Sequence, residues 1–198
     1  MQVKGRSEYE EIIKKSRFIA IVQRIYSLAD AQEKISALRK EYPEATHVCY
    51  AYKVGQRMKS SDDHEPSGTA GIPILEALRY ANLENTLVCV IRYFGGVKLG
   101  TGGLIRAYSS TASMALEKAP KTNLIPYYHF SIQYPYELSN RLEPWLYQNK
   151  TNPEFQYAEQ VYCEFDYPKE DISREIQDLS KGKAQLKLLE VKKKEVDA

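Results

Sequence analysis

Residues 92–108 read RYFGGVKLGTGGLIRAY, with five glycines (Gly95, Gly96, Gly100, Gly102 and Gly103) crowded between two segments of opposite periodicity. Before them, TLVCVIRYF is a continuous apolar run of the kind buried on both faces of a sheet. After them, LIRAYSSTASMALEKA carries a helical repeat that stops before Pro120. Strand, glycine loop and helix in this order resemble a phosphate cradle, and two established cradles provide the test. A Walker loop needs a lysine and a hydroxyl after its last glycine, but Thr101-Gly102 stands where Lys-Ser/Thr belongs. A dinucleotide loop needs GxGxxG, and Ile105 occupies its last glycine position. Neither motif is present. What survives is a loop of positive-φ-tolerant residues leading into a helix start, with Arg92, Lys98 and Arg106 beside it. Gly95, Gly96, Gly100, Thr101, Gly102 and Gly103 then form an anion or nucleic-acid seat with those cations, or a tight turn that permits close packing. Both readings stand on sequence alone.

Upstream, IPILEALRYANLEN reads as a helix with Pro73 in its first turn, where the missing N–H costs nothing. Before it lies QRMKSSDDHEPSGTAG, sixteen residues without apolar periodicity, which is long for a loop without a role. Asp62, Asp63, Glu65, Ser67, Gly68 and Thr69 fall here and form a candidate opposing wall. No ligand spacing for a metal is present, so no metal and no cofactor is expected. His47 and Cys49, two apart on the strand-like THVCYAYKV, face the same side and would permit a thiol–imidazole pair. Ser27 and the apolar spacing of Leu28, Ala31, Ile35 and Leu38 predict a capped helix that stops before Pro43. EYEEIIKKSRFIAIVQRI predicts two strands, or one that bends near Lys15-Ser16.

The non-periodic KTNLIP predicts a domain boundary, giving units of 1–122 and 123–198. Charge changes there as well: 18 Lys/Arg against 13 Asp/Glu in residues 1–122, and 10 against 13 in residues 123–198. A mildly basic first unit is a weak lure for nucleic acid. The second unit orders its segments strand, helix, strand, strand, helix, strand, the ferredoxin-like βαββαβ succession, with Pro144 inside the first helix. It holds eight of the sixteen tyrosines. Along QVYCEFDYP, however, Val161, Cys163 and Phe165 alternate toward a core and leave Tyr162, Glu164 and Asp166 opposite, so an RNA-stacking face would carry two carboxylates. Cys49, Cys89 and Cys163 each sit in an apolar run and read as reduced core thiols. No apolar run reaches the roughly 20 residues that span a bilayer, so no membrane partner and a cytoplasmic location are expected.

ATHVCYAY, SDDHEPSGTAGIPIL, LVCVIRYFGGVKLGTGGLIRAY and the βαββαβ tail together resemble the IMPACT (YigZ-type) family across essentially the whole chain. EPSGTAG and RYFGGVKLGTGGLIRAY, one helix and one strand apart, are the specific pair. The sequence departs at His64, where similar proteins have glycine. The resemblance implies an α+β protein: an N-terminal domain similar to the second domain of ribosomal protein S5, then a ferredoxin-like domain similar to the last domain of the translocating elongation factor. Eukaryotic relatives add a second module that restrains an amino-acid-starvation kinase through its ribosome-bound activator, for which this chain has no room. The expectation is a translation-associated protein, not an enzyme, that binds RNA, the ribosome or a ribosome-bound protein. The alternative is an enzyme acting on a small phosphorylated or acidic substrate at the glycine loop. Oligomeric state is left open by the sequence.

Overall fold

The computed structural model describes residues 1–149 and 151–197; Lys150, which the sequence places at the end of a helix, and Ala198 lie outside the described residues. The chain divides into two compact units, Met1–Asn123 together with Asp197, and Leu124–Val196.

The first unit begins with β1 (Gln2–Val3), β2 (Arg6–Ile13) and β3 (Ser16–Arg24). β2 and β3 form one antiparallel hairpin with Ile13 opposite Ser16. Lys14 and Lys15 make its two-residue turn at φ 46° and 68°, the left-handed geometry whose twist matches that of the flanking strands. α1 (Leu28–Glu41) follows, and the Ser27 hydroxyl accepts a hydrogen bond from the Asp30 amide at 3.1 Å. Then come β4 (His47–Val54), β5 (Arg57–Ser61), α2 (Gly71–Tyr80), β6 (Thr86–Tyr93) and α3 (Thr101–Lys118). The five strands order as β2-β3-β6-β4-β5, each pair antiparallel.

The apolar runs are explained by burial on both sides of this sheet. Phe18, Ala20, Val22, Cys49, Ala51, Val88 and Val90 pack with α2 and α3 residues such as Ile74, Leu78, Tyr108 and Ala112. Ile19, Ile21, Val48, Tyr50, Leu87, Cys89 and Ile91 pack with Ala31, Ile35 and Leu38 of α1. Successive strand residues serve opposite faces, which is why FIAIV and LVCVI show no polar alternation. Each fully buried Ile, Leu or Val contributes roughly 1.5–3 kcal/mol.

Three sequence readings change here. Arg57–Ser61, read as loop, is a strand whose first three residues are exposed; an edge strand held by backbone hydrogen bonds to β4 needs no apolar pattern. KTNLIP, read as a boundary segment without periodicity, is also strand, the start of β7 (Lys121–Tyr134), and Lys121 and Thr122 pair with β1. α3 starts at Thr101, so three residues of the glycine segment form its first turn.

In the second unit β7 is followed by a 3₁₀ turn (Tyr136–Leu138), α4 (Ser139–Gln148), β8 (Glu154–Tyr157), β9 (Val161–Tyr167), α5 (Ser173–Ser180) and β10 (Gln185–Asp197). β9 lies between β7 and β8, antiparallel to both, and β10 joins the other edge of β7. This is the ferredoxin-like arrangement, and Pro144 is accommodated within α4. Val161, Cys163 and Phe165 are buried with Phe130, Ile132, Leu142, Leu146 and Ile176. All three cysteines are free and buried, and no helix among the described residues is long and apolar enough to cross a membrane.

Candidate functional site

The acidic loop after β5 folds around its own carboxylates. Asp62 Oδ1 accepts from the amides of Ala70 (2.9 Å) and Gly71 (2.8 Å), and Oδ2 accepts from Gly68 (2.9 Å). A carboxylate at the start of α2 is stabilised by the aligned N–H groups there. Burial works against ionisation of Asp62, but those three amides outweigh it and hold the carboxyl below the ordinary aspartate value. Asp63 accepts from both terminal nitrogens of Arg39 (2.6 and 3.2 Å) and from the Val48 amide at 2.6 Å. Burial opposes its charge too, and Arg39 with Val48 prevails, so this carboxyl is also held low. Thr69 turns back on Pro66, its hydroxyl donating to the Pro66 carbonyl at 2.6 Å, while Ser67 is exposed.

Asp63 and His64 adopt φ 43° and 70°. That is the left-handed region, where an L side chain crowds its own backbone and glycine does not. The glycine that the family resemblance led us to expect at 64 therefore has a geometric reason.

Glu65 projects the other way, into the protein. Its Oε1 accepts from Arg92 Nη1 at 2.5 Å and from the Tyr108 hydroxyl at 2.7 Å. The side chains of Glu65 and Arg92 are only 4% and 5% exposed. Arg92 also donates to Ser16 Oγ at 3.4 Å, and its guanidinium lies 5.4 Å from the ring centres of both Phe18 and Phe94. Its Nε is buried with no hydrogen-bond partner among the described residues. Arg92 is thus not aligned with Lys98 and Arg106 on a solvent-facing seat, as the sequence suggested. It is the internal counter-ion of Glu65 and joins the two motif segments through the core.

His47 and Cys49 border the same cluster without hydrogen-bonding each other. The Asp63 carbonyl accepts from His47 Nδ1 at 2.8 Å, which fixes that tautomer, and Nε2 lies 3.7 Å from Glu65. Cys49 Sγ is 3.0 Å from the Asp62 carbonyl and 3.4 Å from Tyr108 Oη. Burial pushes the Cys49 thiol far above its ordinary value, the opposite of what a nucleophile needs. The Tyr108 phenol is pushed up as well, first by burial and then by Cys49 and Glu65. Among the described residues, no group of three or more His, Cys, Asp or Glu is placed to hold a metal ion.

The glycine segment divides by role. At Gly95 an added Cβ would fall 1.9 Å from the Lys15 carbonyl oxygen, so the segment crosses the β2–β3 turn at backbone contact; Ser16 Oγ accepts from the Gly95 amide at 3.3 Å. Gly100, at φ 75°, precedes α3 and leaves it without a side-chain cap or an acid in its first turn. Thr101 and Gly102 are exposed there. A groove of about 430 Å³ runs beside this helix start, lined by Lys14, Leu99, Gly103, Arg106, Ser109 and Ser110. Lys14, Lys15, Lys98 and Arg106 are exposed, and none of them has an acidic partner among the described residues. Lys14, Lys15 and Ser16 escaped the sequence reading because they lie about 80 residues from the glycines in the chain. Tyr108 was within the quoted stretch but carried no signal beyond helical spacing.

Residues 14–116 match the family described as the Impact N-terminal domain. The chain is 38% identical over 195 residues to the IMPACT family member YvyE of Bacillus subtilis, covering 93% of this chain and 88% of that one. It is 32% identical over 189 residues to the IMPACT family member YigZ of Escherichia coli, covering 91% and 93%. A crystal structure of a hypothetical protein superposes with a TM-score of 0.61 at 31% identity, covering 96% of each chain. The two motif segments joined by Glu65 and Arg92 thus lie inside a match that spans more than half of the sequence, and the chain belongs to the IMPACT family.

Proposed function

We propose that this chain is a translation-associated regulator without catalytic activity of its own, which engages RNA, free or within the ribosome, through the basic N-terminal domain (residues 1–122). One contrast carries the reading. The α2 start is already filled by Asp62, whereas the α3 start has no cap and no acid and borders a groove lined by Lys14 and Arg106, with Lys15 and Lys98 exposed close by in the chain. Unpaired amides, a helix dipole and exposed cations without an acidic partner suit phosphate oxygens. The family resemblance supplies the link to translation. Asp62, Asp63 and Glu65, the groups an enzyme would use as base or metal ligands, each already accept hydrogen bonds from the protein.

The test is a titration of labelled single-stranded RNA and of purified ribosomes with the intact chain and with a Lys14→Ala/Lys98→Ala/Arg106→Ala variant. Binding is expected to weaken at least tenfold in the variant. Unchanged binding, or thermal stabilisation by a small phosphate that RNA does not displace, overturns the reading.

A further inference from the structure

β10 is a strand of 13 residues, QLKLLEVKKKEVD, at one edge of its sheet. It pairs with β7, and among the described residues no strand lies on its other side. No backbone hydrogen bond outside the strand ladder involves Gln185–Asp197 among the described residues. The outer edge therefore offers a row of N–H and C=O groups to another strand. Leu188, Leu189 and Val191 are 42%, 44% and 54% exposed. Successive strand residues point to opposite faces, so apolar surface meets water on both faces of this edge. A helix docked on one face would cover part of it, whereas a strand added along the edge covers both faces and satisfies the backbone groups as well.

The order of charges selects the occupant. Two copies of β10 paired antiparallel about a two-fold axis have one residue on the axis, and that residue names the register. With Val191 on the axis, Glu190 lies opposite Lys192 of the second copy, and Lys187 opposite Glu195, each pair occurring twice. Leu188 and Leu189 then lie opposite Lys194 and Lys193, whose aliphatic stems cover apolar surface while their heads stay in water. The two neighbouring registers are repulsive. With Glu190 on the axis it faces itself, and Lys187 faces Lys193; with Lys192 on the axis that lysine faces itself. Like charges directly opposite one another destabilise a strand pair, so the lysine run that blunts the edge against other pairings leaves this register open.

The same register continues a polar row that already crosses the sheet. His129 of β7 lies between Asp166 (2.8 Å) and Glu164 (3.1 Å) of β9. Lys192 lies 3.9 Å from Asp166 and 4.0 Å from Glu190, which puts both β10 side chains on this face. The row reaches the sheet edge at a lysine, and Glu190 of the second copy is the group that the Val191 register sets against it. We propose that β10 is a self-association edge, at which two copies of this chain pair β10 to β10, antiparallel and centred on Val191, so that their two sheets continue as one.

The test is sedimentation velocity of the full chain over a concentration series, in which a dimer is expected to grow in with concentration. Glu190→Lys and Lys192→Glu are each expected to weaken self-association at least about tenfold, because each turns both Glu190–Lys192 pairs into like-charge pairs. Mixed in equal amounts, the two variants regain both pairs and are expected to form a heterodimer with the affinity of the parent. The Glu190 side chain is 64% exposed, so Glu190→Lys leaves the core intact and decides the matter even if Lys192→Glu, beside Asp166, fails to fold. Cross-linking reads the register independently, since the native cysteines are all buried. On oxidation with diamide Val191→Cys is expected to form a disulfide-linked dimer, whereas Leu189→Cys, offset by about 13 Å along the strands from its equivalent, is not. A chain that stays monomeric throughout the series, association unchanged by Glu190→Lys, folded variants that fail to associate when mixed, or cross-linking by Leu189→Cys as ready as by Val191→Cys overturns the proposal.

Discussion

Replacing Glu65 with Leu is expected to destabilise the first unit by about 4 kcal/mol, and replacing Arg92 as well is expected to restore much of the loss. In the single variant the Arg92 guanidinium, 5% exposed, loses the one carboxylate that lies at hydrogen-bond distance among the described residues. The Tyr108 hydroxyl, in a residue that is fully buried, loses its acceptor at 2.7 Å. Removing one partner of a buried ion pair costs about 3–5 kcal/mol, because an uncompensated charge is left behind. An orphaned buried hydroxyl costs about 1–3 kcal/mol, and the two are not additive. At roughly 2–4 °C per kcal/mol for a chain of this size, the melting temperature should fall by about 10–15 °C. In Glu65→Leu/Arg92→Leu no charge remains buried, and the remaining cost is that of altered packing and the unpaired Tyr108 hydroxyl. The assay is thermal and urea unfolding of the four proteins of the cycle, with a coupling energy of at least about 2 kcal/mol expected. A Glu65→Leu loss under about 1 kcal/mol with no recovery in the double variant would refute the reasoning. It would mean that Arg92 reaches water easily, and the arginine would return to the set of groups able to meet an external phosphate.

Phosphate contacts by four cations to single-stranded RNA predict a slope near −3 in the dependence of log affinity on log salt, or roughly 50-fold weaker binding between about 50 and about 200 mM; a flat profile in fluorescence anisotropy counts against the basic face. Asp62 predicts an acid limb of stability. Its carboxyl titrates lower when folded than the unfolded value near 3.9, so its contribution is complete above about pH 4 and is lost as pH falls through the native value. Urea midpoints at neutral and acid pH should show the gap between the protein and Asp62→Asn closing on acidification, and a pH-independent gap would contradict the assignment. His64→Gly should stabilise the loop by about 1 kcal/mol, since it relieves a left-handed side chain; calorimetry showing a lower melting temperature would mean that the imidazole makes a compensating contact.

The parts of this fold that were legible in the sequence are those in which one residue's surroundings are set by near neighbours. Ser27 and the spacing of Ala31, Ile35 and Leu38 gave α1 because a cap and an apolar stripe are local. FIAIV and LVCVI announced strands covered on both faces because nothing polar interrupts them. Arg57–Ser61 was illegible for the converse reason: its pairing with Tyr50–Val54 is through backbone groups that every residue possesses. KTNLIP lost its strand to Pro126 and to exposed side chains at Leu124 and Ile125, although Thr122 is buried. The site was legible as a pair of motifs but not as a geometry. That Arg92 turns inward depends on Glu65, 27 residues earlier, and on Ser16, 76 residues earlier, distances over which no periodicity speaks.

The same geometry separates what the two motifs do for the fold from what they present to a partner. EPSGTAG and RYFGGVKLGTGGLIRAY are joined internally by Glu65, Arg92 and Tyr108, and Gly95 is required because the glycine segment crosses the Lys15 carbonyl at backbone contact. These residues therefore specify the relative placement of loop, hairpin turn and helix start, and substituting them perturbs any surface function indirectly, through folding. The surface itself is offered by exposed side chains that carry no such internal duty: those of Lys14 and Arg106 beside the uncapped α3 start, and those of Lys15 and Lys98 close by in the chain. Variants of the first group should lose stability and binding together, and variants of the second should lose binding alone. A Lys98→Ala/Arg106→Ala protein that melts like the parent yet no longer binds RNA, set beside Glu65→Leu, which melts early, would separate clamp from contact surface. If the lysine and arginine variant melted early as well, the division drawn here between an internal clamp and an external seat would fail.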